Sequence, residues 1–185
     1  MTSGDYGVRG IRADEWEAVK RLRLVALRDP VARIAFLETY EDAVDRPDSF
    51  YQDRAARSAE EPSGARQFIA ETAGGEWVGS LTVLIEEAGS TDWAGARVER
   101  RQGHVVGVFV RPEHRGNGLI KALFDTGVAW ARERGAERVR LLVHEGNPRA
   151  QGAYRKAGFV PSGVLMPFVK DETENEVEFV LEWPS

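Results

Sequence analysis

Val108-Phe109-Val110-Arg111-Pro112-Glu113-His114-Arg115-Gly116-Asn117-Gly118-Leu119 runs from an apolar strand-like stretch through a short basic segment into a helical pattern. A tight, basic, glycine-containing turn between a buried strand and a long helix suits an anion. The first N–H groups of a helix have no partner within it, and the helix dipole adds positive potential there, so main chain can hold a pyrophosphate. Gly116 and Gly118 let the backbone approach such a group closely or take a positive φ. Read alone, the same glycines serve equally as a tight strand-to-helix connection. Two common nucleotide patterns fit badly. A dinucleotide fingerprint needs a third glycine where Lys121 stands, and a G-x-x-x-x-G-K-[ST] loop is absent.

Outward from this turn, Leu119, Ile120, Leu123, Phe124 and Trp130 give one wide apolar face over Leu119 to Arg134, with Gly135 placed to end the helix. Arg138 to Val143 follows as a strand, then a short helix with Asn147 as N-cap, Pro148 in its first turn and Gly158 closing it. Val160 to Val169 and Glu176 to Glu182 read as a final strand pair, with the acidic run from Asp171 to Glu178 as a solvated hairpin. Upstream, His104 to Val110 is an apolar strand, and the polar residues 87–103 form a long loop or hairpin arm. Gln67 to Glu71 and Trp77 to Glu86 are antiparallel strands about a turn at Gly74-Gly75. Val8 to Ile11 is a short strand, Ala13 opens a helix that ends at Asp29-Pro30, and Val31 to Glu61 reads as one or two irregular helices joined through Arg46-Pro47-Asp48. Strand, helix, strand, helix, strand in the middle is the signature of an α/β sheet.

Length and composition bound what such a sheet can do. At 185 residues, 42% hydrophobic and 30% charged, the chain is expected to be one globular domain over 1–185. It has no apolar run long enough to span a membrane, and Met1 to Gly10 lacks the basic and apolar regions of a secretory signal, so the expected location is the cytoplasm. With no cysteine, thiol nucleophiles, thiolate metal sites and disulfides are excluded. A net charge of −5 disfavours nucleic acid while leaving room for a local basic patch that holds one small polyanion. The three histidines lie too far apart, without carboxylates at ligand spacing, to suggest a metal site.

The pattern V-x-V-x-P-x-x-R-G-N-G-L, followed by a strand, Asn147 and the run Ala153-Tyr154-Arg155-Lys156-Ala157-Gly158-Phe159, resembles the GNAT superfamily of N-acetyltransferases over residues 104–160. The resemblance implies an α/β fold of mixed, GNAT-like type: a central twisted sheet of about seven strands flanked by helices and splayed at the coenzyme-binding strand pair. It further implies that the turn [RQ]-x-x-G-x-[GA], here Arg115, Gly116, Asn117, Gly118, Leu119 and Ile120 with Lys121 beyond, holds the pyrophosphate of acetyl-coenzyme A. Ile120 departs from the usual small residue. Val108, Phe109 and Val110 would pair with the pantetheine arm as an added strand. Asn147 and Tyr154 would touch the coenzyme, and Tyr154 would also be catalytic. The activity implied is acetyl transfer to a primary amine of a small molecule or peptide by direct attack. A homodimer is expected from the habits of the superfamily.

The chemistry asks for a free amine, support for an oxyanion and a proton for the leaving thiolate. An alkylamine with a pKa near 10 is free base in only about one part in a thousand at neutral pH. His104, at the start of the strand before the turn, is the first candidate base, and Glu86 and Glu87, ending the neighbouring strand, come next. Tyr154 is the candidate acid. Two other readings stand beside this one: a non-catalytic acyl-coenzyme-A-binding sensor or regulatory module, and a dinucleotide-dependent oxidoreductase.

Overall fold

The computed structural model describes residues 5–59 and 64–184. The expected helical stretch from Val31 to Glu61 therefore ends outside the described residues, as do both ends of the 1–185 unit. Seven strands form one sheet: β1 (Tyr6–Gly10), β2 (Ala65–Thr72), β3 (Trp77–Glu86), β4 (Gln102–Val110), β5 (Arg138–His144), β6 (Val160–Phe168) and β7 (Asp171–Glu182), in the order β1-β2-β3-β4-β5-β7-β6. All neighbours are antiparallel except β4 and β5. Among the described residues six α-helices accompany them: α1 (Trp16–Ala26), α2 (Ala32–Ala35), α3 (Tyr40–Asp45), α4 (Asp48–Ala59), α5 (Leu119–Glu133) and α6 (Pro148–Lys156). This is the mixed α/β architecture that the sequence suggests.

The central helix shows how sequence becomes packing. In α5, Leu119, Leu123, Phe124, Gly127 and Ala131 are buried at the three- and four-residue spacing of one helical face. Gly127 lets the helix lie close to the sheet, because a Cβ there would stand 2.9 Å from Val83 Cγ2. Gly135, at φ 77°, ends the helix as expected.

The two faces of the sheet differ in kind. Toward α5 and α6 it presents Leu81, Val83, Val105, Val139, Leu141 and Phe179, all within one apolar core. Since strand side chains alternate, their neighbours Ser80, Thr82, His104, Arg140 and Glu178 turn to the other face, beneath α1–α4 and the loop 87–101, and all five are buried.

Two expectations need correction, and a third, which left two alternatives open, comes down to one of them. Residues 31–59 hold three helices, because Thr39 caps α3 by accepting from Asp42 N–H and Pro47 separates α3 from α4. Residues 87–101 are a loop with one isolated bridge, Thr91 to Arg97, and not a hairpin arm. The acidic run from Asp171 lies within β7; Glu178 is buried because Arg140 donates to it at 3.2 Å, a partner no local pattern reveals.

What positions the site is a departure from regular pairing. β4 and β5 pair only from Gln102 with Arg138 to Val105 with Leu141, after which they splay. Just there β4 bulges: Val106 faces Thr82 and Phe109 faces Ser80, so Gly107 and Val108 together oppose Leu81. Gly107 takes φ 65°, in the left-handed region that favours glycine.

Candidate active site

The splay opens into a cleft of about 690 Å³ walled by β4, the turn before α5, α6 and residues of the segment 29–36. Beyond the bulge, Arg111 N–H donates to Val78 O in β3, so by alternation the N–H and C=O of Val110 turn away from β3, into the gap. Arg115 Nε donates to that Val110 carbonyl at 2.9 Å.

The turn is built by conformation more than by contact. Gly116 and Gly118 take φ 81° and 78°, and a Cβ on either would meet nothing within 4 Å. Gly118 stands in the N-cap position and offers no side-chain cap, so the leading N–H groups of α5 lack the usual side-chain acceptor. Positive side chains ring this end of the cleft, with Arg115, Lys121, Arg149 and Lys156 in its wall. Arg115 also pairs with Asp29. Burial acts to raise the Asp29 pKa, but hydrogen bonds from Arg115 and from Val31 N–H outweigh it and hold the carboxylate below its usual value.

Tyr154 closes the far side from α6. Its ring meets Phe124 edge-on at 5.5 Å, and burial pushes its pKa up to about 12. Its hydroxyl has no hydrogen bond to any described residue. Asn147 uses its side chain to cap α6, accepting from Ala150 N–H at 3.2 Å, and lines the cleft from that position.

An uncapped, glycine-mediated helix start beside an unpaired stretch of strand frames the cleft, and residues 23–159 match the Acetyltransferase (GNAT) family. The chain belongs to that family. Among relatives, it is 30% identical over 94 residues to a Bacillus subtilis protein provisionally named an N-acetyltransferase for the alanine of ribosomal protein bS18, covering 50% of this chain and 62% of that one. It is 39% identical over 92 residues to a mycothiol acetyltransferase of Saccharomonospora viridis, covering 50% of this chain and 29% of the relative. The chain thus spans less than two thirds of the length of these relatives. A GNAT-family acetyltransferase structure from Streptococcus pneumoniae superposes with a TM-score of 0.72 at 14% identity over 97% of this chain and 100% of its own, which supports the fold.

Of the residues that the GNAT resemblance singled out, the cleft gathers Val108, Phe109, Val110, Arg115, Gly116, Gly118, Leu119, Ile120, Lys121, Asn147 and Tyr154. Ile120, the departure from the family turn, is a half-buried apolar wall that packs against the core. Asn117 turns outside, with Nδ2 directed to His114 O and Tyr6 Oη. His104 and Glu86 are brought together elsewhere. His104 Nδ1 lies 2.9 Å from Glu86 Oε1, within a buried network that includes Gln102, Arg140, Asp92 and Glu178. Burial acts to raise the Glu86 pKa, but hydrogen bonds from His104 and Arg140 prevail and bring it to about 2. His104 precedes Val108 on β4 by four positions, or about 13 Å of strand. Glu87 stands apart on the surface, bonded to Arg101 at 2.6 Å.

Sequence reasoning missed Asp29, Val31 and Phe36, because the four-residue helix α2 is too short to show periodicity. It also passed over His144, weighed only as a metal ligand. That residue ends β5, outside the cleft wall, accepts from Gly146 N–H at Nδ1, and holds Nε2 3.2 Å from Glu174 Oε2 but outside hydrogen-bond geometry.

Proposed function

We propose that this chain is a catalytic domain that transfers an acetyl group from acetyl-coenzyme A to a primary amine of a small molecule or peptide. The observation that carries the reading is the meeting, in one cleft, of the uncapped start of α5, the unpaired run of β4 and the Tyr154 hydroxyl. The donor fits these residues. The turn's N–H groups suit a pyrophosphate, Arg115, Lys121, Arg149 and Lys156 line the wall about its charge, and Val108 offers main-chain groups to the amide-bearing arm.

In the proposed reaction the free amine attacks the thioester carbonyl carbon. The oxyanion is met by the Val110 N–H, which turns into the gap, and as the C–S bond breaks Tyr154 offers its proton to the departing sulfur. His104, outside the cleft and about 13 Å of strand from Val108, receives the ammonium proton only along a chain of waters, with Glu86 bonded to its Nδ1. Glu87, tied to Arg101, is given no role. The reading extends to a cytoplasmic homodimer, supported by the edge strand β6, which exposes Val160, Val164 and Leu165. Light scattering at two concentrations checks the dimer.

Isothermal titration with acetyl-coenzyme A tests the donor site. Saturable binding by the wild type, lost in Gly118→Trp, together with amine-dependent thiol release, is the expected outcome. Binding without turnover on any amine points instead to a sensor, and absence of binding removes the reading.

A further inference from the structure

On the other side of Phe109 from the cleft lies a second cavity, of about 30 Å³, the room of one or two waters, between α1, α4 and strands β2–β4. Gly107 of the bulge and Phe109 belong to its wall, and Phe109 walls the cleft as well, so one side chain borders both spaces.

The charges around this cavity do not balance. Arg23, Arg46 and Arg54 gather about one carboxylate, Glu38. Glu38 Oε2 is taken by Arg23 at 3.0 Å and Oε1 by Arg46 at 2.7 Å. Arg54, half-buried in the cavity wall, has no hydrogen bond or ion pair among the described residues. Burial, and then the neighbouring Arg23, weaken its hold on its proton. A second observation comes from β2. Gln67, 8% exposed, donates Nε2–H to Ser80 Oγ at 2.9 Å and leaves Oε1 buried without a partner. Thr82 stands beside them in the same wall, whereas the Tyr51 hydroxyl is spent on Ala43 O. An unpaired guanidinium and an unpaired carbonyl facing one small cavity ask for an anion that also carries an N–H.

We infer that this cavity is the inner end of an acceptor subsite, where the room of one or two waters is taken by carboxylate oxygens on Arg54 and an N–H on Gln67 Oε1 while the rest of the acceptor stays outside it, so that the acceptor is an amino acid or a similarly small amine bearing a carboxylate. The inference rests on the acetyl-transfer reading above and adds the class of acceptor. Arg54 works as a specificity determinant: its five donors match a carboxylate, while a polyamine end would meet two arginines, Arg23 and Arg54, in the wall.

The test measures kcat/KM for glycine, β-alanine, glutamate and methionine, each beside its carboxamide, together with spermidine, on wild type, Arg54→Gln and Arg54→Lys, with acetyl-coenzyme A affinity measured on all three. The expected result is wild-type preference for at least one carboxylate over its amide, lost in Arg54→Gln by about thirtyfold or more and partly kept in Arg54→Lys, at unchanged donor affinity. A wild type that binds donor but acetylates amides or spermidine as well as or better than the carboxylates, or acetylates none of the carboxylates, overturns the inference and leaves the donor site standing. A wild type that does not bind acetyl-coenzyme A removes both.

Discussion

Tyr154 illustrates how burial tunes a single group. An ordinary tyrosine titrates near 10, and with its pKa pushed up to about 12 this one stays protonated throughout the accessible range. A cysteine-like thiol titrates near 8.5, so full transfer to a departing thiolate runs uphill, and a strong hydrogen bond to sulfur is the main service the hydroxyl can render. Tyr154→Phe is expected to lower kcat by about a hundredfold with acetyl-coenzyme A affinity changed less than about twofold. A pH–rate profile should rise as the amine deprotonates and show no loss attributable to Tyr154 below about pH 10; a fall between pH 7 and 9 that vanishes in Tyr154→Phe contradicts the raised pKa. Glu86 shows the opposite shift, from 4.5 to about 2. A carboxylate depressed in the folded state adds stability that is complete above its unfolded pKa and lost as pH falls through the folded one. Glu86→Gln should therefore cost roughly 3 kcal/mol at pH 7, with the gap closing between about pH 4.5 and 2, which urea melts at several pH values would show.

Among the elements, those with a long regular period were legible and those without were not. α5, with its apolar face and closing glycine, falls where the sequence puts it, and the turn before it was read from Gly116 and Gly118. The short helices of 31–59 were blurred, because a cap at Thr39 and a break at Pro47 interrupt any periodicity within a few residues. They carry Phe36 and Arg54, so half of the proposed binding surface was hidden with them. The buried end of β7 was misread for a different reason: a strand of glutamates looks solvated until Arg140 of β5, some 38 residues away, is placed diagonally across from Glu178. Packing of the legible helix yields a direct test. Gly127→Val should destabilise by about 2 kcal/mol or more, since its Cβ would press on Val83 and Leu81, and a lowered urea midpoint with unchanged slope is the expected signature.

Considered whole, the molecule is a sheet with one oily face and a second face where apolar clusters about Ile69 and Phe109 sit beside a buried polar network. On the second face Ser80, Thr82, His104, Arg140 and Glu178 alternate with the residues that form the core of the first. Such a face is costly to desolvate unless its charges satisfy one another, and Arg140 does so for Glu86, Asp92 and Glu178 at once. Arg140→Met, which leaves three carboxylates facing each other, should cost about 3–5 kcal/mol in thermal or chemical melts, and a loss under about 1 kcal/mol would mean the network is not held by that residue.

The interrupted pairing of β4 and β5 has one more consequence, for the life of the protein between turnovers. An open edge within a sheet is backbone that water must solvate and that any stray extended peptide can occupy. If the donor's arm fills it, the folded population becomes a readout of donor supply: at a hundred times the dissociation constant the native state gains about 2.7 kcal/mol, visible as a melting temperature that climbs with acetyl-coenzyme A. In a cell low on acyl donor, the same opening would become the place where unfolding, proteolysis or self-association begins.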